Sequence, residues 1–151
     1  MVSQDDIATG PTPESEDADR FHNARANRST ALVEDYVELI ADLIDEFGEA
    51  RLTDIARRLG VAHPTANKAV SRLKRDGLVI SRPYRGVFLT EAGTTLAREV
   101  KARHRLVVRL LLAVGVPPEA AEMDAEGIEH YVSETTLQAF DAFLKKQDTT
   151  T

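Results

Sequence analysis

Late in the chain, the run Asp124-Ala125-Glu126-Gly127-Ile128-Glu129-His130-Tyr131 concentrates side chains that can do chemistry. On a helix, Glu126, Glu129 and His130 stand at i, i+3 and i+4 and share one face. Two carboxylates stacked on one face repel each other, and the repulsion is relieved when a cation lies among them. The plain alternative is a solvated acidic face, since Asp and Glu favour the first turns of helices. Two other segments offer matching groups. Asp35 and Glu38 lie at i and i+3 on an earlier helix, and His104 lies between Arg103 and Arg105 in a later one. Together the four carboxylates and two imidazoles would fill the coordination of one or two divalent cations. Two such ions neutralise four carboxylates, whereas one leaves the group anionic, and none leaves it self-repelling.

The chain of 151 residues contains no cysteine, so any metal must be held by oxygen and imidazole nitrogen. No apolar stretch approaches the roughly 18–20 residues of a membrane span, and no secretory signal is visible at the N-terminus. A soluble, cytoplasmic protein is expected. The net charge of −6 hides an asymmetry: Arg51 to Arg105 holds thirteen Lys and Arg against four Asp and Glu, a local charge of +9. Local charge, not the average, sets a binding face for nucleic acid.

The elements that must position these groups follow from periodicity. Residues 1–29, acidic and almost free of large apolar side chains, read as a disordered tail. From Thr30, Leu32, Val33, Tyr36, Val37, Leu39, Ile40, Leu43, Ile44 and Phe47 recur at helical spacing up to Gly48. Leu52–Gly60 reads as a short helix, with Thr53 and Gly60 as its caps. His63–Gly77 reads as a basic helix with Pro64 in its first turn. A short helix, a tight turn and a basic helix with small polar residues at its start form a helix-turn-helix pattern. His63, Thr65, Asn67 and Lys68 would reach base edges or phosphates, with Arg72 further along. Leu78–Arg82 and Gly86–Thr90 read as two strands joined by a turn at Pro83-Tyr84-Arg85, a wing whose Arg82 and Arg85 would meet the phosphate backbone. Three more helices follow, starting near Glu91, Pro117 and Ser133. The apolar stripe of the last (Leu137, Phe140, Phe143, Leu144) serves either a dimer interface or packing onto its own chain.

As a set, Asp35-Tyr36-Val37-Glu38, His63-Pro64-Thr65, Tyr84-Arg85-Gly86, Arg103-His104 and Asp124-Ala125-Glu126-Gly127-Ile128-Glu129-His130 resemble the diphtheria-toxin-repressor family of metal-dependent transcriptional regulators. Within it they resemble the manganese transport regulator branch, over about Leu32 to Leu144. The resemblance implies a mainly α fold with a small β-hairpin wing. A winged helix-turn-helix DNA-binding domain would span residues 30–95, and a helical metal-binding and dimerisation domain residues 96–147. It implies a homodimer on a palindromic operator, repressing manganese-uptake genes when Mn²⁺ binds, with two ions per subunit. Asp35, Glu38, His104, Glu129 and the carbonyl of Glu126 would hold one ion; Glu38, Glu126, Glu129 and His130 would hold the other. His63, Pro64, Thr65, Asn67, Lys68, Arg72, Arg82, Tyr84 and Arg85 would face DNA. Iron-responsive relatives have softer sulfur groups at the positions of Asp35 and Glu126, so hard carboxylates there argue for Mn²⁺. The rival readings are an iron-responsive regulator, a small organic effector between the same helices, and a two-metal hydrolase.

Overall fold

Helix α1 runs from Pro13 to Phe47 in the structure, a computed structural model that describes Gly10 and residues 12–149. Thr12 caps it by accepting a hydrogen bond from the backbone N–H of Ser15, Pro13 stands in the first turn, and Glu14 and Glu16 complement the positive end of the helix dipole. The helix therefore starts well before Thr30, and the expectation of a disordered tail is corrected from Pro13 onward. Residues 1–9 and 11 lie outside the described residues. The correction has a local cause. Once the buried part of α1 is nucleated by packing, each further residue adds a hydrogen bond at little cost, even where no apolar face exists. Residues 13–28 are all exposed, whereas Tyr36, Val37, Ile40 and Leu43 are buried. Leu32 and Phe47, expected on the apolar face, point to solvent. Gly48, at φ 80°, ends the helix in the left-handed conformation that glycine adopts without strain.

Helices α2 (Leu52–Leu59) and α3 (His63–Arg75) follow as expected, except that Arg51, not Thr53, occupies the N-cap of α2. Ile55, Ala56, Ala66, Val70 and Leu73 close their inner faces onto α1. Strands β1 (Val79–Ser81) and β2 (Val87–Leu89) pair antiparallel with Val79 opposite Leu89, Ile80 opposite Phe88 and Ser81 opposite Val87. The strands are shorter than the apolar runs that announce them. Val87 also exchanges two backbone hydrogen bonds with Ala50, at 2.7 and 3.3 Å, which ties the hairpin to the loop before α2.

Helix α4 (Glu91–Ala113) is the long element that joins two cores. Its first half packs on α1 and β2 through Ala97 and Leu96. Its second half, through Val107 and Val108, packs on α5 (Pro118–Ile128) and α6 (Glu134–Thr149). Lys101 of α4 pairs with Asp42 of α1 at 2.6 Å. No helix among the described residues is long and apolar enough to cross a membrane.

The start of α4 is fixed on the hairpin. The Thr90 side chain accepts from Gly93 N–H at 3.1 Å and donates to the Gly77 carbonyl at 2.6 Å, while Thr90 N–H donates to the Leu78 carbonyl at 3.0 Å. A Cβ on Gly93 would lie 2.1 Å from the Leu78 carbonyl oxygen, a backbone atom that cannot step aside. Gly93→Ala is therefore expected to cost roughly 1–3 kcal/mol through overpacking. Denaturant unfolding of the metal-free protein measures it, and an unchanged midpoint would mean that this junction is not close-packed.

Candidate metal centre

The acidic run near residue 126 sits where α5 ends. Glu126 lies in the last turn of the helix, Ile128 is its final residue, and Glu129 is the C-cap. The helical reading of this stretch therefore holds through Ile128 and ends there. The closing hydrogen bonds run from Glu129 N–H to the Ala125 carbonyl and from Tyr131 N–H to the Ile128 carbonyl, and neither uses the carbonyl of Glu126. Carboxylates at this end of a helix meet the negative pole of its dipole, the opposite of the arrangement that stabilises helices. A cation at this point would answer both the carboxylates and the dipole.

Glu129 is the centre of the group. Its side chain is 0% exposed, yet neither carboxylate oxygen has a hydrogen-bond partner. One oxygen stands 3.4 Å from His104 Nδ1 and the other 3.5 Å from His130 Nε2. Glu126 reaches within 3.5 Å of the same His104 nitrogen. One ligand atom each from His104, Glu126 and Glu129 lies within 4.8 Å of the others, a spread that one metal ion can span. On the other side, His130 Nε2 is 2.9 Å from an oxygen of Asp35. That contact is an ion-pair distance, but its direction is poor for a hydrogen bond.

The structure thus brings five of the six expected ligands together as two overlapping groups that share Glu129, with Glu38 beside them. His104 and Glu126 flank it on one side, and His130 and Asp35 on the other. Glu38 and Asp42 line the adjoining cleft of about 560 Å³ with Asp35, Glu126 and His130. Glu38 is not part of the tight His104–Glu126–Glu129 group, but it feels the charge of Glu126 and of His104.

Burial pushes the Glu129 carboxyl up to about 7, against the pull of His104 and His130 in the other direction. Burial, then Glu126 and Asp42, raises Glu38 as well. For His104, burial works against the charged ring, but Glu122, Glu129 and Glu126 outweigh it and the value rises. His130 is raised first by Asp35 and then by Glu129, against its burial. Each shift reports the same condition: too much negative charge in too little water.

Among the described residues, the buried side-chain polar atoms without a partner are Arg103 Nε, His104 Nδ1, both oxygens of Glu129 and His130 Nε2. Buried polar groups are almost always satisfied, and leaving one bare costs about 1–3 kcal/mol. Four of these five atoms are oxygen or imidazole donors gathered at the Glu129 carboxylate, and the donor set fits a divalent cation. Without sulfur, it suits a hard or borderline ion such as Mn²⁺, Fe²⁺ or Zn²⁺.

Two further carboxylates that the sequence reading does not single out touch the histidines. Glu34, 4% exposed, accepts from Arg103 and contacts His130 Nδ1 at 3.0 Å. Glu122 contacts His104 Nε2 at 2.8 Å. The signal for Glu34 was present: it lies three residues before Val37 and shares that buried face, where an acid needs a partner.

The DNA-facing candidates lie on one unit. His63 opens α3 with Pro64 in its first turn, and Thr65, Asn67 and Lys68 are exposed opposite the buried Ala66 and Val70. Arg72 is engaged with Ser29 at 2.9 Å and sits 3.8 Å from Asp76, so the protein itself holds its guanidinium. At the wing, Arg82 and Arg85 stack over the Phe88 ring at 4.8 and 5.1 Å, and Arg85 also lies 3.6 Å from Glu49. Tyr84 stands fully exposed at the tip with φ 59°, a strained angle for a bulky residue.

Comparison with known proteins accounts for both halves. Residues 29–87 match the family "Iron dependent repressor, N-terminal DNA binding domain", and residues 90–150 match "Iron dependent repressor, metal binding and dimerisation domain". The chain is 51% identical over 133 residues to the transcriptional regulator MntR of Escherichia coli O157:H7, covering 88% of this chain and 86% of that one. It is 40% identical over 105 residues to the HTH-type transcriptional regulator MntR of Bacillus subtilis, covering 70% and 74%. Among solved structures, the manganese regulator SloR superposes with a TM-score of 0.65 at 29% identity, over 75% of this chain and 53% of that one. A manganese-dependent transcriptional repressor in complex with manganese gives a TM-score of 0.65 at 29% identity, over 75% and 52%. This chain therefore spans about half the length of those two solved chains. With its DNA-binding unit, its metal-binding and dimerisation unit and MntR regulators as relatives, the chain belongs to the iron-dependent, or diphtheria-toxin, repressor family of transcriptional regulators, and is not an enzyme.

Proposed function

We propose that this protein is a cytoplasmic, manganese-responsive repressor that binds a palindromic operator as a homodimer when Mn²⁺ fills the site around Glu129. The observation that supports it best is the convergence of unpartnered, buried oxygen and nitrogen donors from α1, α4 and the end of α5. Asp35, Glu38, His104, Glu126, Glu129 and His130 would hold two ions per subunit, whose four positive charges balance the four carboxylates. All of these donors are hard or borderline, which favours Mn²⁺ over softer competitors, and the solved relatives named above are manganese regulators.

The mechanism follows from where the ligands sit. Asp35 and Glu38 belong to α1, the helix on which α2 and α3 pack. Glu126, Glu129 and His130 belong to the unit built on the second half of α4. Bound metal supplies positive charge shared between the two. Without it, repulsion among Asp35, Glu38, Glu126 and Glu129 would loosen the relation of α1 to α5; with these residues holding it, that relation and the separation of two recognition helices in a dimer would be fixed. Successive major grooves lie about 34 Å apart, so a fixed separation selects DNA. A coupling of about 1–3 kcal/mol is sufficient.

An operator titration with Mn²⁺, Fe²⁺ and Zn²⁺ at fixed salt tests this directly. Mn²⁺ added to chelated protein is expected to raise operator affinity by roughly 5- to 150-fold. Glu129→Ala, which empties the centre of the site, is expected to abolish that rise. An operator affinity indifferent to Mn²⁺ would sink the reading.

Arg82→Ala and Arg85→Ala should each weaken binding on all sequences alike and flatten log K against log salt by about 0.9, one phosphate contact apiece. Equal slopes for wild type and variants would remove the wing from the interface.

The raised ionisations fix a pH dependence with a definite sign. Glu129 has a folded value near 7, above its ordinary 4.5, so the stability tied to its proton is lost as pH rises through 7. His104 and His130 are also raised, and their contributions are present below about 6.5 and lost as pH climbs through the raised values. Chelated protein should therefore melt lower at pH 8 than at pH 5.5. Glu129→Gln should show a shallower fall, and Mn²⁺ should stabilise more at pH 8, where fewer protons compete. Thermal unfolding with and without chelator checks all three.

A further inference from the structure

Each histidine of the site shows the same division of labour. One ring nitrogen faces the ligand cluster without a hydrogen bond, and the other meets a carboxylate outside the ligand set. His104 turns Nδ1 inward and Nε2 toward Glu122; His130 turns Nε2 inward and Nδ1 toward Glu34. The two outer carboxylates differ in setting. The side chain of Glu122 is 62% exposed, so water can replace it. Glu34 is 4% exposed and comes from α1, ninety-six residues away from its histidine. The oxygen that meets His130, Oε2, also accepts from Arg103, whose buried Nε has no partner.

We propose that Glu34 is a positioning residue for the metal centre: with Arg103, it holds His130 as the Nδ1–H tautomer, so that the Nε2 lone pair is presented to the metal. This rests on the metal-centre reading above. The argument is geometric. A neutral imidazole has one donor and one acceptor nitrogen, and the acceptor on one side selects which. Carboxylates stand close to both nitrogens, Glu34 3.0 Å from Nδ1 and Asp35 2.9 Å from Nε2, but only Glu34 lies in a hydrogen-bonding direction, which makes Nδ1 the donor. Arg103 in turn keeps Glu34 from swinging toward the cluster, where it would be one carboxylate too many. An outer carboxylate on a ligating histidine orients the ring and raises its basicity, and losing one typically costs 10- to 100-fold in metal affinity. Glu34 also joins α1 to the residue just after α5, so it braces the same two elements that the metal would bridge.

The test pairs two readouts on Glu34→Ala, Glu34→Gln and Glu122→Ala. Imidazole ¹⁵N spectra of the chelated protein, taken at a pH high enough for neutral rings, report the tautomer of His130 without any metal. Mn²⁺ titration followed by electron paramagnetic resonance reports affinity. His130 is expected as the Nδ1–H form in the wild type and as a mixture or the Nε2–H form in Glu34→Ala. Mn²⁺ affinity should fall about 10- to 100-fold in that variant and less in Glu122→Ala. Glu34→Gln keeps an oxygen that can accept from Nδ1 and loses only the charge, so it should keep the tautomer with a smaller loss of affinity. It also stands in if removing the side chain unfolds the protein. An Nε2–H His130 in the wild type, or a Glu34→Ala protein with the wild-type tautomer and affinity, would overturn the proposal. A wild type that fails to bind Mn²⁺ would overturn the functional reading instead, and the metal-free spectra would still decide the role of Glu34.

Discussion

A carboxylate taken out of water must be protonated, paired or bound to a cation, because its desolvation costs several kcal/mol that nothing else in a protein interior returns. Glu129 is such a group. Its two oxygens are buried and unbonded, two imidazoles approach it without donating to it, and the helix that carries it presents its negative end to the same spot. Much of the second unit is arranged around this one constraint. The end of α5, the His104 position on α4 and the ligand face of α1 converge where negative charge accumulates. The raised ionisation of Glu129 records first its burial and then that accumulation, and a divalent cation would relieve both.

The same convergence explains why sensing and reading can be distant in sequence and linked in space. The surface of α3 and the wing contains no ligand, and the ligand cluster contains no candidate for base contact. Between them lie α1 and α4. The first contributes ligands along one face and supports the recognition helix with another. The second is anchored at its start to the hairpin through Thr90 and Gly93, and at its centre His104 approaches Glu129. On the proposed function, a change in how α1 meets α5 would be carried to the surface of α3 and the wing by packed helices. The Arg82 and Arg85 pair stacked on Phe88 shows the opposite design, cations displayed on an aromatic platform at the edge of the unit.

Much of this was legible in residue types and spacing. Apolar periodicity located the buried part of α1 and every later helix, turn residues located the hairpin, and the absence of cysteine restricted the ligands to oxygen and nitrogen. The start of α1 was missed because its signals are purely local: Thr12 as cap, Pro13 behind it and two acids in the first turn extend a helix that has no apolar face to reveal it. Arg72 is a DNA-contact candidate by its place on a basic helix; Asp76, one turn on, is a local neighbour, and only the fold brings Ser29 to it. Glu34 was overlooked beside Asp35 because only the latter belongs to the ligand motif.

By itself, then, the sequence determined which elements form and which chemical donors exist, since capping, periodicity and composition act within a few residues or within single side chains. Only tertiary structure decided how those donors are paired. Which nitrogen of each histidine faces inward depends on carboxylates brought from other helices, eighteen residues away for His104 and ninety-six for His130. That Glu129 loses all its water depends on the closure of α1, α4 and α5 around it. Desolvation and hydrogen-bond direction are properties of the packed assembly, and no spacing along the chain encodes them.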